Sequence, residues 1–173
     1  DGTSIDYEVQ ALIDEGVVVT VASGNGDAAG RPIDGCKIAP GDVPDALTVG
    51  AIGSTDLVSY YSNNGPCVDL YAPGGDRFRG LESAWNDSDT DYEFDVGTSM
   101  ASPLVAGYAA LLAQQQPGLC ATTISQAIVD RSTKGVIQGM TADSLNRLLF
   151  IDTTPIAVTS PGEASHILIT TDS

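Results

Sequence analysis

The chain lacks any apolar stretch near the ~20 residues that a membrane span requires. Its longest candidate, Val105 to Ala113, runs straight into Gln-Gln-Gln-Pro. Positive charge is also scarce: 7 basic residues face 23 acidic ones, for a net charge of −16. That balance excludes nucleic acid as a partner, because phosphates need Lys and Arg, and it disfavours anionic membrane surfaces. It leaves room for calcium, a hard cation that takes oxygen ligands, although acids also simply keep a protein soluble. The three cysteines, Cys36, Cys67 and Cys120, form no CxxC pair or Cys/His cluster, which excludes a zinc site of the usual spacing. They allow one disulfide with a thiol left over, or three buried thiols acting as small hydrophobes. Histidine occurs once, at His166. The opening residues "DGTSIDYEVQ" have neither an initiator Met nor the basic and apolar regions of a signal peptide, so the chain reads as processed or truncated.

What is present fits one α/β domain. The 173 residues are 42% hydrophobic, enough for a sizeable core, and 19 glycines and 9 prolines indicate many turns. Ile5, Val9, Leu12 and Ile13 follow the helical spacing and predict a helix over residues 4–14, ended by Gly16. The β-branched run "VVVTVA" (17–22) reads as a buried strand, and "ALTVGAI" (46–52) and "CVDLYA" (67–72) as two more. "GLESAW" and "YEFDV" flank the polar turn "NDSDTD" and predict a hairpin. Helices are expected over 99–115, 122–131 and, in a short form, 143–150. After Asp152 the texture changes to a Thr- and Ser-rich tail without Lys or Arg, in which "IAVTS" and "HILITT" look like strands. We therefore divide the chain into residues 1–150 and an extension, 151–173, consistent with the start of another module.

One serine stands out. In "VGTSMASPLVAGYAALLAQ" a strand passes through a tight turn at Gly97 into a helix, which puts Ser99 in its first turn. Backbone N–H groups there lack intrahelical partners, and the positive end of the helix dipole would stabilise an oxyanion forming beside Ser99. The plain alternative is an N-cap role for Ser99 or Thr98. Two catalytic templates were weighed. The nucleophile elbow G-x-S-x-G has a departure here, since "GTSMA" ends in Ala; its chain order of Ser, Asp, His is met formally by Ser99, Asp152 and His166.

The second template is carried by four segments in order. "GTSMASP" followed by "VAG" resembles the catalytic-serine motif of subtilisin-like serine proteases. "VVVTVASGNG" is similar to the strand that delivers the oxyanion asparagine, and "IAPGDVPDALTVGA" and "SYYSNNGPCVDLYAPG" resemble the segments that follow it. The details look nearest to the proteinase K branch and its secreted proprotein-convertase-like relatives. The resemblance covers residues 4–150 and implies a three-layer α/β fold with a mostly parallel sheet, of which this chain would be the C-terminal part.

It also implies roles for particular residues. Ser99 becomes the acylating nucleophile and Asn25 the oxyanion donor beside the Ser99 N–H. Ala22, Ser23 and Gly24 would line one wall of the pocket for the side chain before the scissile bond; being small, they admit a medium or large apolar group. A structural calcium ion would be held by the carbonyls of Pro44 and Ala46 and the carboxylate of Asp69. Asp87, Asp89 and Asp91 lack the spacing of a calcium loop and read as a solvated hairpin tip. Cys36 and Cys67 would form a disulfide, which places the protein outside the cell, and Ala39–Pro40 would be a cis peptide. The substrate is then a protein or peptide.

The chain departs from the family as well. The triad Asp and His, which precede the oxyanion asparagine in chain order, have no counterpart here; neither an Asp-Ser/Thr-Gly nor a His-Gly motif occurs, and the "SLGG"-type substrate strand is absent. The chain thus reads as a fragment, a cleaved product or one piece of a larger assembly whose N-terminal half is needed for activity. Leu104 and Ser23 are smaller departures. A serine endopeptidase and a non-catalytic interaction module on the same fold both remain, with Asn25 favouring the enzyme.

Overall fold

The computed structural model describes residues 4–157 and 166–167, the last two by backbone alone. Helix α1 (Ser4–Asp14) stops at Gly16, whose φ of 86° is available to glycine at little cost. The expected strand over 17–22 forms in two pieces, β1 (Val17–Val18) and β2 (Thr20–Ala22), on either side of Val19, whose carbonyl accepts from the Leu47 N–H. Strand β3 (Leu47–Ile52) pairs parallel with β2, and β4 (Leu70–Pro73) pairs parallel with β3. The hairpin forms as β5 (Leu81–Ala84) and β6 (Tyr92–Asp95). Helices α2 (Thr98–Gln115) and α3 (Ala121–Arg131) follow. The short strands β7 (Thr133–Lys134) and β8 (Arg147–Leu148) complete a five-stranded sheet in the order β2-β3-β4-β8-β7.

The sheet is buried on both faces, which is why its strands read as continuous apolar runs. On one face Val9, Leu12 and Ile13 of α1 pack on Val17, Val19, Val21, Val43 and Ala46. On the other, Leu47, Val49, Ala51, Leu70 and Ala72 meet Ala101, Val105, Tyr108 and Leu112 of α2, with Ile124 and Ile128 of α3 beyond. The alternation of β1 and β2 residues between these clusters is the period of two expected of strands. Gly50 lies where a side chain has no room: a Cβ there would fall 2.4 Å from the ring of Tyr71, which is wholly buried on β4.

The helix expected over 143–150 does not form. Residues 141–144 make a turn, and Arg147–Leu148 become β8, parallel to β4 and antiparallel to β7. The apolar spacing of Leu145, Leu148 and Leu149 is helical, but Asn146 is committed elsewhere. Its side chain accepts from the Ile137 N–H and donates to the Ile137 carbonyl, at 3.0 and 2.8 Å, clamping the β7–β8 connection. Beyond it, the Tyr108 hydroxyl donates to the Asp152 carbonyl at 2.6 Å, and Gln116 bonds the backbone of Ile156, so the first residues after 150 are fastened to α2. Of the expected tail strands, residues 156–157 are not in a strand, and His166–Ile167 form β9, parallel to β1; the remainder lies outside the described residues.

Cys36 and Cys67 are bonded, their Cα atoms 5.2 Å apart, and Cys120 is free. The bond closes a sequence separation of 31 and ties the loop after β2 to the approach to β4. In the chain-entropy treatment such a loop contributes roughly 3–4 kcal/mol. Cys36→Ser should therefore lower the unfolding free energy by about that much in urea. Peptide mapping without reductant should link Cys36 to Cys67 and find Cys120 alkylated; free Cys36 and Cys67 would contradict the assignment.

Candidate active site

Ser99 lies in the first turn of α2, beyond the extended Gly97 and the buried Thr98. In that turn its N–H has no carbonyl four residues back to bond. Asn25, 74 positions earlier, is delivered by β2 and the glycine turn that follows, with Gly24 and Gly26 at φ of 92° and 90°. The two segments are stitched together. The Thr98 N–H and hydroxyl both donate to Asn25 Oδ1 at 2.9 Å, and the Gly24 N–H donates to Thr98 Oγ1 at 3.1 Å. With its carbonyl engaged, the Asn25 side chain is left to present its NH₂. A Cβ placed on Gly97 would fall 3.3 Å from Asn25 Nδ2 and 3.6 Å from the Ser99 N, so both donors border one small opening that glycine keeps clear.

A residue whose role the sequence did not reveal holds this turn from below. Asn63 is fully buried; its Nδ2 donates to the Ser23 carbonyl at 2.8 Å, and its Oδ1 accepts from the N–H groups of Gly26 and Ile33 at 3.0 and 2.9 Å. Three amide contacts from one buried side chain fix the path of residues 23–26. The only signal at the sequence level was its place in "SYYSNNGP".

A cavity of about 190 Å³ opens beside Ser99, lined among others by Ala22, Gly24, Asn25, Ala39 and Pro40. The Ala39–Pro40 bond is cis. Ser23 does not reach this cavity. It is fully buried, and its hydroxyl donates to the Asn63 carbonyl at 3.4 Å. Asp152 lies elsewhere too. It joins Arg131 and Thr154 beside Tyr108, nine residues and roughly 13 Å along α2 from Ser99. The order Ser99, Asp152, His166 therefore does not assemble around the serine through Asp152; the His166 side chain lies outside the described residues.

A family profile and relatives in sequence and structure identify the fold's family. The profile of the subtilase family matches residues 1–147. The chain belongs to the subtilase family. It is 38% identical over 147 residues to the alkaline serine exoprotease A of Vibrio alginolyticus, covering 85% of this chain and 25% of that protein. It is 38% identical over 148 residues to an extracellular serine proteinase of a Thermus strain, covering 86% and 34%. A cold-adapted subtilisin-like serine proteinase superposes with a TM-score of 0.76 at 37% identity, over 87% of this chain and 52% of that one. The subtilase chain thus spans a quarter to a third of these curated relatives, and its three-layer, mostly parallel fold is that of subtilisin-like proteins.

Asp69 is placed in a second cavity, of about 340 Å³, with Pro44, Ala46 and Arg147 among its walls. Burial pushes its carboxyl up to about 6, against the opposing pull of the Thr48 N–H, 2.8 Å from Oδ2, and of the Arg147 charge. A carboxyl raised above its unfolded value stabilises the fold only while protonated. That contribution is full below pH ~4 and is lost as pH rises through about 6. Under chelating conditions stability should fall by roughly 2–3 kcal/mol between pH 4 and pH 8 on this account. Asp69→Asn should flatten the slope; an unchanged pH profile in chemical denaturation would contradict it.

Proposed function

We propose that this chain supplies the nucleophile and the oxyanion-binding elements of an extracellular serine endopeptidase acting on protein or peptide substrates. The observation that carries the reading is that Asn25 Nδ2 and the Ser99 N border one opening at Gly97, with Asn25 Oδ1 held by Thr98. Attack of Ser99 Oγ on a peptide carbonyl forms an ester and breaks the C–N bond; the carbonyl oxygen passes through an oxyanion, which those two donors stabilise as it forms. The hydroxyl proton moves to a base and from it to the departing amine. We assign that base to an imidazole oriented by an aspartate, both contributed from the N-terminal half of the catalytic domain. The 190 Å³ cavity, walled by Ala22 and Gly24, then receives the side chain before the scissile bond. An extracellular setting is supported by the Cys36–Cys67 bond and by the relatives' names. Residues 1–150 form the peptidase portion, and 151–173 the extension.

A non-catalytic interaction module is the weaker reading. A silent relative has no need to keep an asparagine whose carbonyl is tethered twice so that its amide stays free.

Calcium fits the second cavity. Among the described residues no three of His, Cys, Asp and Glu gather as a metal set, so a cation there must draw on carbonyls, as the Pro44, Ala46 and Asp69 set does. A desolvated carboxylate with Oδ2 held by the Thr48 N–H is the charge such a cation would compensate. Its contribution is to rigidity.

With the N-terminal half of the domain present, Ser99→Ala should abolish hydrolysis and labelling by a serine-directed phosphonate. Asn25→Ala should lower kcat by about 10² to 10³, the range known for the equivalent asparagine of subtilisin, with KM little changed. Retained turnover in Ser99→Ala would end the reading. For the cation, wild-type protein should gain melting temperature on adding calcium, whereas Asp69→Asn should not; equal gains would move the ion elsewhere.

A further inference from the structure

Ser99 borders a second cavity, on the side away from Asn25. This one, of about 510 Å³, lies between the β5–β6 hairpin and the first turns of α2, with Met100 and Leu104 on the helix and Trp85, Glu93 and Asp95 on the hairpin. We propose that it receives the substrate residues that follow the scissile bond and selects Lys or Arg among them. The proposal rests on the hydrolase reading above and adds the substrate's charge to it.

The position follows from Ser99 itself. A chain crossing the serine must extend to both sides of it; the cavity walled by Ala22, Gly24 and Asn25 takes the acyl side, which leaves the hairpin cavity for the departing side. The charge follows from strand register. Leu81 pairs with Asp95 and Ser83 with Glu93, so these four side chains share a face, and alternation puts Trp85 on it as well. Glu82, Phe94, Ala84 and Tyr92 occupy the other face. Glu93 and Asp95 therefore face the cavity beside Trp85 and Leu81, Glu82 and Ala84 also border it, and no Lys or Arg is among its walls. Asp95 accepts from the Val96 N–H at 2.7 Å through Oδ1, a bond that does not use Oδ2. An apolar wall with carboxylates at its rim matches a long aliphatic stem ending in a cation, and Trp85 adds a ring face on which such a cation can rest.

The test uses the chain with its native flanking sequence and internally quenched peptides that differ only in the residue after the scissile bond: Lys, Gln or Glu. The Lys peptide should exceed the Glu peptide in kcat/KM by roughly tenfold at low salt, as expected of two partly exposed charge pairs. The ratio should shrink towards one as ionic strength rises. Glu93→Gln combined with Asp95→Asn should bring the ratio within twofold. Since Asp95 also holds the backbone, Glu93→Lys alone provides a second variant, and it should turn the preference towards Glu. A ratio near one in wild-type protein, or a ratio that survives both variants, overturns the proposal. The same peptides are titrated by fluorescence anisotropy on Ser99→Ala protein, where tighter binding of the Lys peptide supports the proposal and equal binding overturns it. Failure to cut any peptide overturns the hydrolase reading, and the anisotropy series still decides the charge preference.

Discussion

The contact on which the site depends is the one between Thr98 and Asn25. It joins residues 73 positions apart through two hydrogen bonds to a single carbonyl oxygen, Asn25 Oδ1. One bond would hold the asparagine's position; two, from the N–H and the hydroxyl of the same residue, also fix the plane of its amide. The Nδ2 group then has only one direction left to face. Asn63 fixes the turn carrying Asn25 through bonds to the backbone of Ser23, Gly26 and Ile33, so Asn25 rests on a wholly buried amide. The cost of losing such a group exceeds the sum of its bonds, because a buried amide left unpaired carries its full desolvation penalty.

That contact is possible because of how the sheet is ordered. Strands β2, β3 and β4 run parallel, so their carboxyl ends lie along one edge, where open α/β sheets gather their functional loops. The β2 exit brings Asn25 there, and the β4 exit leads by way of the hairpin to α2, which starts at the same edge. Tyr61 secures the latter path by donating to the carbonyls of Gly74 and Gly75. Helix α2 then descends across the sheet, with Ala101, Val105 and Tyr108 buried against it. Ser102 meets Thr20 at 3.1 Å, so the helix is pinned to β2 one turn below Ser99. Core packing and site geometry are thus the same set of contacts read at different heights.

How much of this could be read from sequence depends on whether a feature is local. Helix α1 and the buried strands were legible because each buries an apolar face and ends in a recognisable turn, and the hairpin because a polar turn separates two short β-prone runs, although its strands stay largely exposed. Ser99, Asn25 and the cysteine pairing were legible only through resemblance; nothing in their spacing shows that they meet. The region after 141 was misread because propensity saw three leucines at helical spacing, whereas Asn146 binds Ile137 and β8 adds to an existing sheet edge. Tertiary pairing outweighed a helix of barely two turns, which has little stability of its own. Ser23, expected with Ala22 and Gly24 on the pocket wall, has its side chain buried against the Asn63 carbonyl, a long-range contact that spacing does not show.

Net charge conceals a similar division. A balance of −16 suggests a uniformly solvated acidic surface, yet the carboxylates occupy distinct environments. Asp27 is held below its ordinary value by Arg31, and Asp76 is brought down to about 2 by the N–H groups of Ser54 and Phe78 before any other contact. Both are half-buried and stabilised as anions, so they organise loops. Asp69 is the reverse case: burial drives it up, and neither Thr48 nor Arg147 offsets the loss of water. Evolution of solubility alone would not place a carboxylate where it opposes folding at neutral pH. A carboxylate in that position is useful when something cationic completes it. The sign of a shift separates acids that hold loops as anions from an acid whose charged form burial penalises, a distinction that counting charges cannot make.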